Sequence, residues 1–333
     1  MIRNLLNHFP RLKRFLKYVI NVFASTSKIN PIKRSGTNWI DTHNINNTIL
    51  FVGSPRSGTT WISNLLNHDN YFRYIFEPFR EEIVEMAAIG QQPYVILPEN
   101  TNQSIINAMT VILSGRLKQI PWINKYNRRK IASRRLIKGI RAHFFLKWLK
   151  DNFPEVKIVY LMRHPVPASL SKVNWESGWN TSENYLLSAP LYQRYLLPHQ
   201  EIIRSAQTRF EIHIVTWCIQ NYVALKEMKN DDLLIVYYED FCMYPEKAMK
   251  EMTNYAGVPF HRNKFIKIVG KPFISKDKSA IVNNEDLVLS WQNKVTPAEL
   301  AFAMQAVKAF GLDEYYNESP YPLKSRFRTD DGR

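Results

Sequence analysis

The most constraining stretch of the chain is a β-rich apolar run, Thr48 to Gly53 (TILFVG), that leads into Gly53-Ser54-Pro55-Arg56-Ser57-Gly58-Thr59-Thr60. Glycine and proline end the run as a strand. Trp61, Ile62, Leu65 and Leu66 then recur at i, i+3, i+4 spacing, which predicts a helix beginning near Gly58. Strand, glycine-bounded loop and helix in that order make a G-x4-G-x-T phosphate cradle. Backbone N–H groups of such a loop converge on an anion at the helix start.

Two further runs read as buried parallel strands, Val156–Met162 (VKIVYLM) and Leu233–Tyr238 (LLIVYY). The first follows a helical pattern at 140–153 that stops before Pro154. The second precedes a helix over Pro245–Ala256, closed by Gly257. Thr296-Pro297-Ala298-Glu299 is a capping box with proline at the first helical position, opening a helix that runs to Gly311. Strands alternating with helices predict a three-layer α/β/α fold around a mainly parallel sheet with a P-loop-like phosphate loop. The expected organisation is one domain over 46–315, preceded by a lead-in at 1–45 and followed by a tail at 316–333. Residues from about 80 to 137, interrupted at Pro93, Pro98 and Pro121, read as helix and loop, with 82–135 forming an insertion on the acceptor side.

With 45% apolar and 22% charged residues, the chain is neither disordered, collagen-like nor a disulfide miniprotein. Its formal charge is +16, unevenly spread. Residues 1–34 hold eight basic and no acidic side chains, 100–150 hold twelve and none, and 151–333 are neutral. The pattern suggests two anion-facing surfaces, against the simpler reading of solvated charge. In the first stretch Leu12, Leu16, Val19 and Phe23 share a helical face flanked by Arg11, Lys13, Arg14 and Lys17. That basic amphipathic helix either lies on an anionic membrane surface or docks on the domain. No run reaches the length of a membrane span and no secretory signal is evident, so the expected location is the cytoplasm, with peripheral membrane contact through this helix. Cys218 and Cys242 sit in apolar contexts as buried free thiols, without metal-site spacing.

The phosphate loop lacks two requirements of a nucleotide triphosphatase. Thr59 stands where a lysine would reach the terminal phosphates, and the strand ending Tyr160-Leu161-Met162 delivers Arg163 where an acid would hold magnesium. Arginines at Arg56 and Arg163 without a metal carboxylate suit a ligand with several separate anionic groups, bound without a metal.

Pro55-Arg56-Ser57-Gly58-Thr59-Thr60-Trp61 resembles the 5′-phosphosulfate loop of the sulfotransferases that use 3′-phosphoadenosine 5′-phosphosulfate (PAPS). Arginine at position 56, where the cytosolic branch has lysine, is similar to the tyrosylprotein, carbohydrate and bacterial members. Arg163 with Ser171 resembles the family's 3′-phosphate pair. Tyr238-Glu239-Asp240 and Ser290-Trp291 resemble later family segments, and Ser275 a cofactor-contacting serine of the tyrosylprotein branch. Where that branch has a further phosphate arginine, this chain has Trp175. The resemblance spans roughly 46–312.

It implies sulfuryl transfer from PAPS to a hydroxyl, in line, with a base to take the acceptor proton and cations for the leaving phosphate. Glu77, in Phe76-Glu77-Pro78-Phe79, stands twenty-one residues after Arg56, where the carbohydrate branch carries a glutamate; as a base it must be partly desolvated. The bland alternative is a surface glutamate. Arg56 and Lys138 are the implied catalytic cations, although Arg134, Arg135 and Arg141 compete with Lys138 on sequence grounds. His68 and His143 miss the spacing of the cytosolic branch's histidine base. The Glu-Pro context favours a glycan, polysaccharide or glycolipid acceptor, anionic if the basic stretch faces it, with Trp122, Tyr126, Trp175 and Trp179 as candidate sugar platforms. Alternatives are a protein-tyrosine or small-lipid sulfotransferase, and a non-enzymatic polyanion binder. Nucleic acid is disfavoured because no recognition motif is present.

Overall fold

Short hydrophobic runs build a five-stranded sheet in the computed structural model, which describes residues 40–80, 82–90, 94–118, 121–127, 131–173, 189–269 and 287–327. The chain divides into two compact units, Met1–Asn38 and Trp39–Arg333, and the described residues all belong to the second. The strands are β1 (Thr48–Gly53), β2 (Phe72–Phe76), β3 (Arg134–Gly139), β4 (Lys157–Met162) and β5 (Leu234–Tyr237). They lie in the order β2-β3-β1-β4-β5, all parallel.

The helices that cover this sheet are α1 (Thr59–Leu66), α2 (Gln103–Leu113), α3 (Leu146–Asn152), α4 (Pro165–Val173), α5 (Arg209–Lys226), α6 (Tyr238–Met243), α7 (Pro245–Ala256) and α8 (Pro297–Ala309). Alternation along each strand splits the core into two layers. Leu50, Val52, Ile137, Ile158 and Tyr160 pack with α2, α3, α4, α5 and α8, while Ile49, Phe51, Leu136, Val159 and Leu161 pack with α1, α6 and α7. This is the three-layer α/β/α arrangement expected from the sequence. Because β1 is central and the chain extends from it to both sides, the carboxyl edge of the sheet around β1 is the switch point where ligands bind in open α/β folds.

The sequence pattern misses β2 and β3, and the reason is charge inside the sheet. Arg73 of β2 and Arg135 of β3 are register partners, and both side chains are buried. Two guanidiniums in that position repel unless an anion separates them. Asp41 does so: Arg73 Nη1 donates to its Oδ2 at 2.9 Å and Arg135 Nη1 donates to its Oδ1. Carbonyls add to this, with Arg73 Nη1 also donating to Gly115 O at 2.8 Å and Arg135 Nε to Leu113 O at 2.9 Å, while Arg73 Nε and Nη2 are buried without a hydrogen-bond partner. The expected 82–135 insertion is therefore corrected at its far end, since Arg134 and Arg135 belong to a strand in the middle of the domain. Nor is the region peripheral, because α2 places Ile105, Met109 and Ile112 in the main core.

Smaller corrections follow. The helix expected over 140–153 starts only at Leu146, and the final helix stops at Ala309. Cys218 is buried but Cys242 only partly so, both as free thiols. The amphipathic N-terminal helix lies outside the described residues, among which no helix is long and apolar enough to cross a membrane.

Asp41→Asn removes the charge shared by two buried arginines and should destabilise the protein by about 3–5 kcal/mol in denaturant unfolding. A loss below about 1 kcal/mol would show that the arginines do not depend on it.

Candidate active site

Each strand ends in a residue that the sequence singled out. After β1 the backbone turns through Ser54-Pro55 into Arg56, whose φ of +70° is left-handed, and reaches Gly58 at φ +82°. Gly58 caps α1 without a side chain, so the first N–H groups of that helix, from Thr59, Thr60 and Trp61, have no capping oxygen from it. The glycine is obligatory here. A Cβ at Gly58 would stand 2.6 Å from the Tyr238 ring.

Arg163, the first residue after β4, donates from Nη1 to the carbonyl of Arg56 at 3.0 Å and lies 4.1 Å over the Tyr238 ring. Tyr238, the first residue after β5, meets Trp61 edge-on at 5.6 Å. Arg56 Nε donates to Ser171 Oγ on α4 at 3.0 Å. Burial, and then the neighbouring Arg163, push the Arg56 guanidinium below its ordinary value. Ser57 Oγ, Trp61 Nε1 and Arg163 Nε are buried without a hydrogen-bond partner. Buried donors of this kind need acceptors, and three of them among two adjacent guanidiniums fit phosphate oxygens. Among the described residues no cluster of His, Cys, Asp or Glu is arranged for a metal.

The second half of the site grows from β2 and β3. Phe76 pairs in register with Lys138, so Glu77, one residue further, comes off the sheet beside it. Glu77 N–H donates to Lys138 O at 2.8 Å, and Lys138 Nζ donates to Glu77 Oε1 at 2.5 Å. Arg141 Nη1 lies 3.7 Å from the other carboxylate oxygen. Glu77 has φ +46° although Pro78 follows it, a combination that disfavours the left-handed region twice. Such strain persists only where neighbours over-determine it, and it costs on the order of 1–3 kcal/mol. Burial lowers the Lys138 ammonium and Glu77 opposes that shift.

Beside the carboxylate, Phe76, Trp122 and Tyr126 form an aromatic corner, with Phe76 at 5.2 Å from Trp122 and 4.9 Å from Tyr126. Lys125 Nζ sits 3.8 Å from the Phe76 centroid and 3.9 Å from that of Trp122, and the Arg80 guanidinium lies 4.2 Å over Trp122. Burial brings Lys125 down to about 8, with Glu77 opposing and Lys138 and Arg80 adding to the fall.

Of the competing cations, Lys138 hydrogen-bonds Glu77 at 2.5 Å and Arg141 pairs with it at 3.7 Å. Arg135 is turned to Asp41, and Arg134 donates to Ala256 O at 2.9 Å. Ser275, Trp175 and Trp179 lie outside the described residues. His143 is buried against the Tyr160 ring and held neutral, its value pushed down to about 3 by burial and Lys172, while His68 is tied to Leu65 O at 3.0 Å. The sequence reading does not place Lys125 and Arg141 beside Glu77; the only signal for them is the density of charge around positions 125–141, and Arg80 lies three residues after Glu77.

Residues 46–298 match the sulfotransferase domain family. The chain belongs to that family. A protein of Archaeoglobus fulgidus without an assigned activity is 29% identical over 136 residues, which is 39% of this chain and 41% of that relative. A mouse sulfotransferase crystallised with PAP has a TM-score of 0.44 at 15% identity, with 79% of this chain and 84% of that one covered. The sulfotransferase domain of the Synechococcus PCC 7002 olefin synthase also has a TM-score of 0.44, at 18% identity over 80% of this chain and 94% of that one.

In this sulfotransferase domain, Arg163→Ala is expected to weaken binding of 3′-phosphoadenosine 5′-phosphate (PAP) by about 1.5–3 kcal/mol, roughly ten- to hundredfold, in isothermal titration calorimetry. Unchanged affinity would remove Arg163 from the phosphate site.

Glu239, next to Tyr238, gives a pH prediction. Burial raises its carboxyl to about 7, with the His164 N–H, Arg163 and the Tyr316 hydroxyl opposing. Below about 4.3, the unfolded value, both states are protonated and the shift contributes nothing. Between there and 7 the unfolded chain ionises first, so stability falls as pH rises, and above 7 the full penalty stands. Glu239→Gln should therefore raise Tm at pH 8 and change it little at pH 5. Equal gains at both would contradict the shift.

Proposed function

We propose that the protein transfers the sulfuryl group of PAPS to a hydroxyl of a carbohydrate acceptor, with Glu77 as general base. The observation that carries this reading is the Glu77 carboxylate itself, strained, largely buried and bonded to Lys138 at the carboxyl edge that also bears the phosphate loop. PAPS is the donor substrate. The loop from Pro55 to Trp61, with Arg163, Ser171 and Tyr238, supplies the donors for its phosphates.

In the reaction the acceptor oxygen forms a bond to sulfur as the bond from sulfur to the 5′-phosphate oxygen breaks, and the hydroxyl proton passes to Glu77. Proton uptake neutralises the carboxylate that held Lys138. The ammonium then loses its ion-pair partner and its charge becomes available to the departing phosphate, so the base and the cation act in sequence. Arg56 serves the same phosphate from the loop.

Trp122 and Tyr126, partly exposed around the buried Phe76, support a sugar as acceptor, since flat rings near the Glu77 carboxylate match the apolar face of a pyranose. Lys125 and Arg80 over those rings favour a sugar that carries a carboxylate or sulfate. A tyrosine side chain would fit the same rings, which keeps protein tyrosine as the second reading.

Glu77→Gln should lower turnover by about 10²–10⁴-fold while PAP affinity stays within about twofold of wild type. Retained turnover would exclude Glu77 as the base. Labelled PAPS offered with uronate-containing and neutral oligosaccharides, a tyrosine peptide and a lipid alcohol decides the acceptor; transfer confined to the peptide or the lipid would overturn the carbohydrate reading.

A further inference from the structure

The segment that follows α8 returns to the cofactor side of the sheet, downstream of the family-matched residues. Tyr316, fully buried, donates from its hydroxyl to Glu239 Oε2 at 2.8 Å. The other oxygen, Glu239 Oε1, accepts the backbone N–H of His164 at 2.9 Å, and His164 directly follows Arg163. The carboxylate thus joins the tail to the arginine turn. The next tail residue makes a second tie: His164 Nδ1 accepts from Val166 N–H at 3.3 Å, so its proton is on Nε2, which donates to Asn317 O at 3.0 Å. The imidazole is stacked on Trp291 at 4.6 Å. Further along, Ser325 Oγ donates to Asp240 Oδ1 at 2.6 Å, Arg326 pairs with Glu251, and Phe327 packs on the α1/α7 side of the core.

We propose that Tyr316–Phe327 is a positioning strap for the cofactor site, with Tyr316 acting through Glu239 and His164 to set Arg163 for phosphate binding. This rests on the reading above that Arg163 holds a phosphate of PAPS.

The groups that face Glu239 are Arg163 and His164 from the turn after β4, Tyr316 from the tail, Tyr237 at the end of β5 and Asp240 on its own helix. Arg163 is the cation among them. With Tyr316 in place both carboxylate oxygens are engaged, one by the hydroxyl and one by a backbone N–H. Without that hydroxyl, Oε2 is a buried acceptor lacking a partner, and the neighbouring guanidinium is the strongest donor within its surroundings. Glu239 then competes with the phosphate for Arg163, and the N–H bond that fixes the Arg163–His164 turn is strained. Tyr316 is therefore a positioning residue, which keeps the Glu239 carboxyl turned to the tail and off the arginine that an external anion needs.

The test uses the full chain carrying Tyr316→Phe, Ser325→Ala or Arg163→Ala, with PAP titrated by calorimetry, PAPS and acceptor kinetics, and thermal melting. Tyr316→Phe should weaken PAP and raise KM for PAPS about tenfold, while kcat and acceptor KM change less than about threefold. Ser325→Ala, which frees only the far end of the strap, should weaken PAP about threefold. A Tyr316→Phe protein with lowered Tm but wild-type PAP affinity, beside a weakened Arg163→Ala, would overturn the strap and leave the phosphate reading standing. If Arg163→Ala also bound PAP normally, the phosphate reading would fail and the strap with it. Should Tyr316→Phe not fold, Ser325→Ala decides, and unchanged PAP affinity in it overturns the proposal.

Discussion

Everything in the site depends on the five strands running the same way. A parallel sheet must place the carboxyl ends of all its strands on one edge, so residues far apart in the chain meet there without any contact between the segments that separate them. The loop after β1, Glu77 after β2, Lys138 near the end of β3, Arg163 after β4 and Tyr238 after β5 are one edge of one sheet. Register refines the placement. Lys138 is opposite Phe51 of β1 on one side and Phe76 of β2 on the other, so it stands between the phosphate loop's strand and the strand that delivers the carboxylate.

That register is held from the opposite end. Arg73 and Arg135, three residues upstream of Phe76 and Lys138 respectively, form the like-charged pair that Asp41 reconciles. A slip of one residue would turn Glu77's strand over and break both salt links. The buried triad at the amino end and the Glu77–Lys138 pair at the carboxyl end are thus two readouts of a single alignment. A buried ion pair contributes little net stability compared with apolar packing, but losing one partner is costly, which makes it an effective register device.

These facts explain what could and could not be read from the sequence. β1, β4 and β5 are uninterrupted apolar runs, so they and the loops after them were legible, including Arg56, Arg163 and Tyr238. β2 (FRYIF) and β3 (RRLIKG) each carry arginine inside the sheet. Arg73 and Arg135 share one carboxylate, Asp41, 32 and 94 positions away, which no local pattern reveals. Glu77 and Lys138 come instead from the resemblance to the sulfotransferase family, through their distances from Arg56 and Arg163, and that route carries no hint that the two share a hydrogen bond. The tail was silent for a similar reason: the Tyr316 hydroxyl acquires meaning only through Glu239, 77 residues earlier.

The charge of the chain also changes meaning once it is located. The basic stretch from 100 to 150 reads as an outward-facing surface, yet Arg135 and Lys138 are buried against carboxylates and Arg141 lies beside Glu77. Lys147 pairs with Asp151, and Lys150 donates to Pro154 O. Part of the basic stretch therefore serves the interior, through Arg135 and Lys138, while Arg116 and Lys118 are exposed. Among the described residues, Lys125 lies over Phe76 and Trp122 and Arg80 over Trp122. Lys138 and Arg80 are the cationic neighbours of Lys125 and Glu77 opposes them, while Arg80 is itself paired with Glu82 and Arg141 lies beside Glu77. Cations held this close together beside an aromatic corner act at short range, where salt screens them less than it screens a broad basic surface.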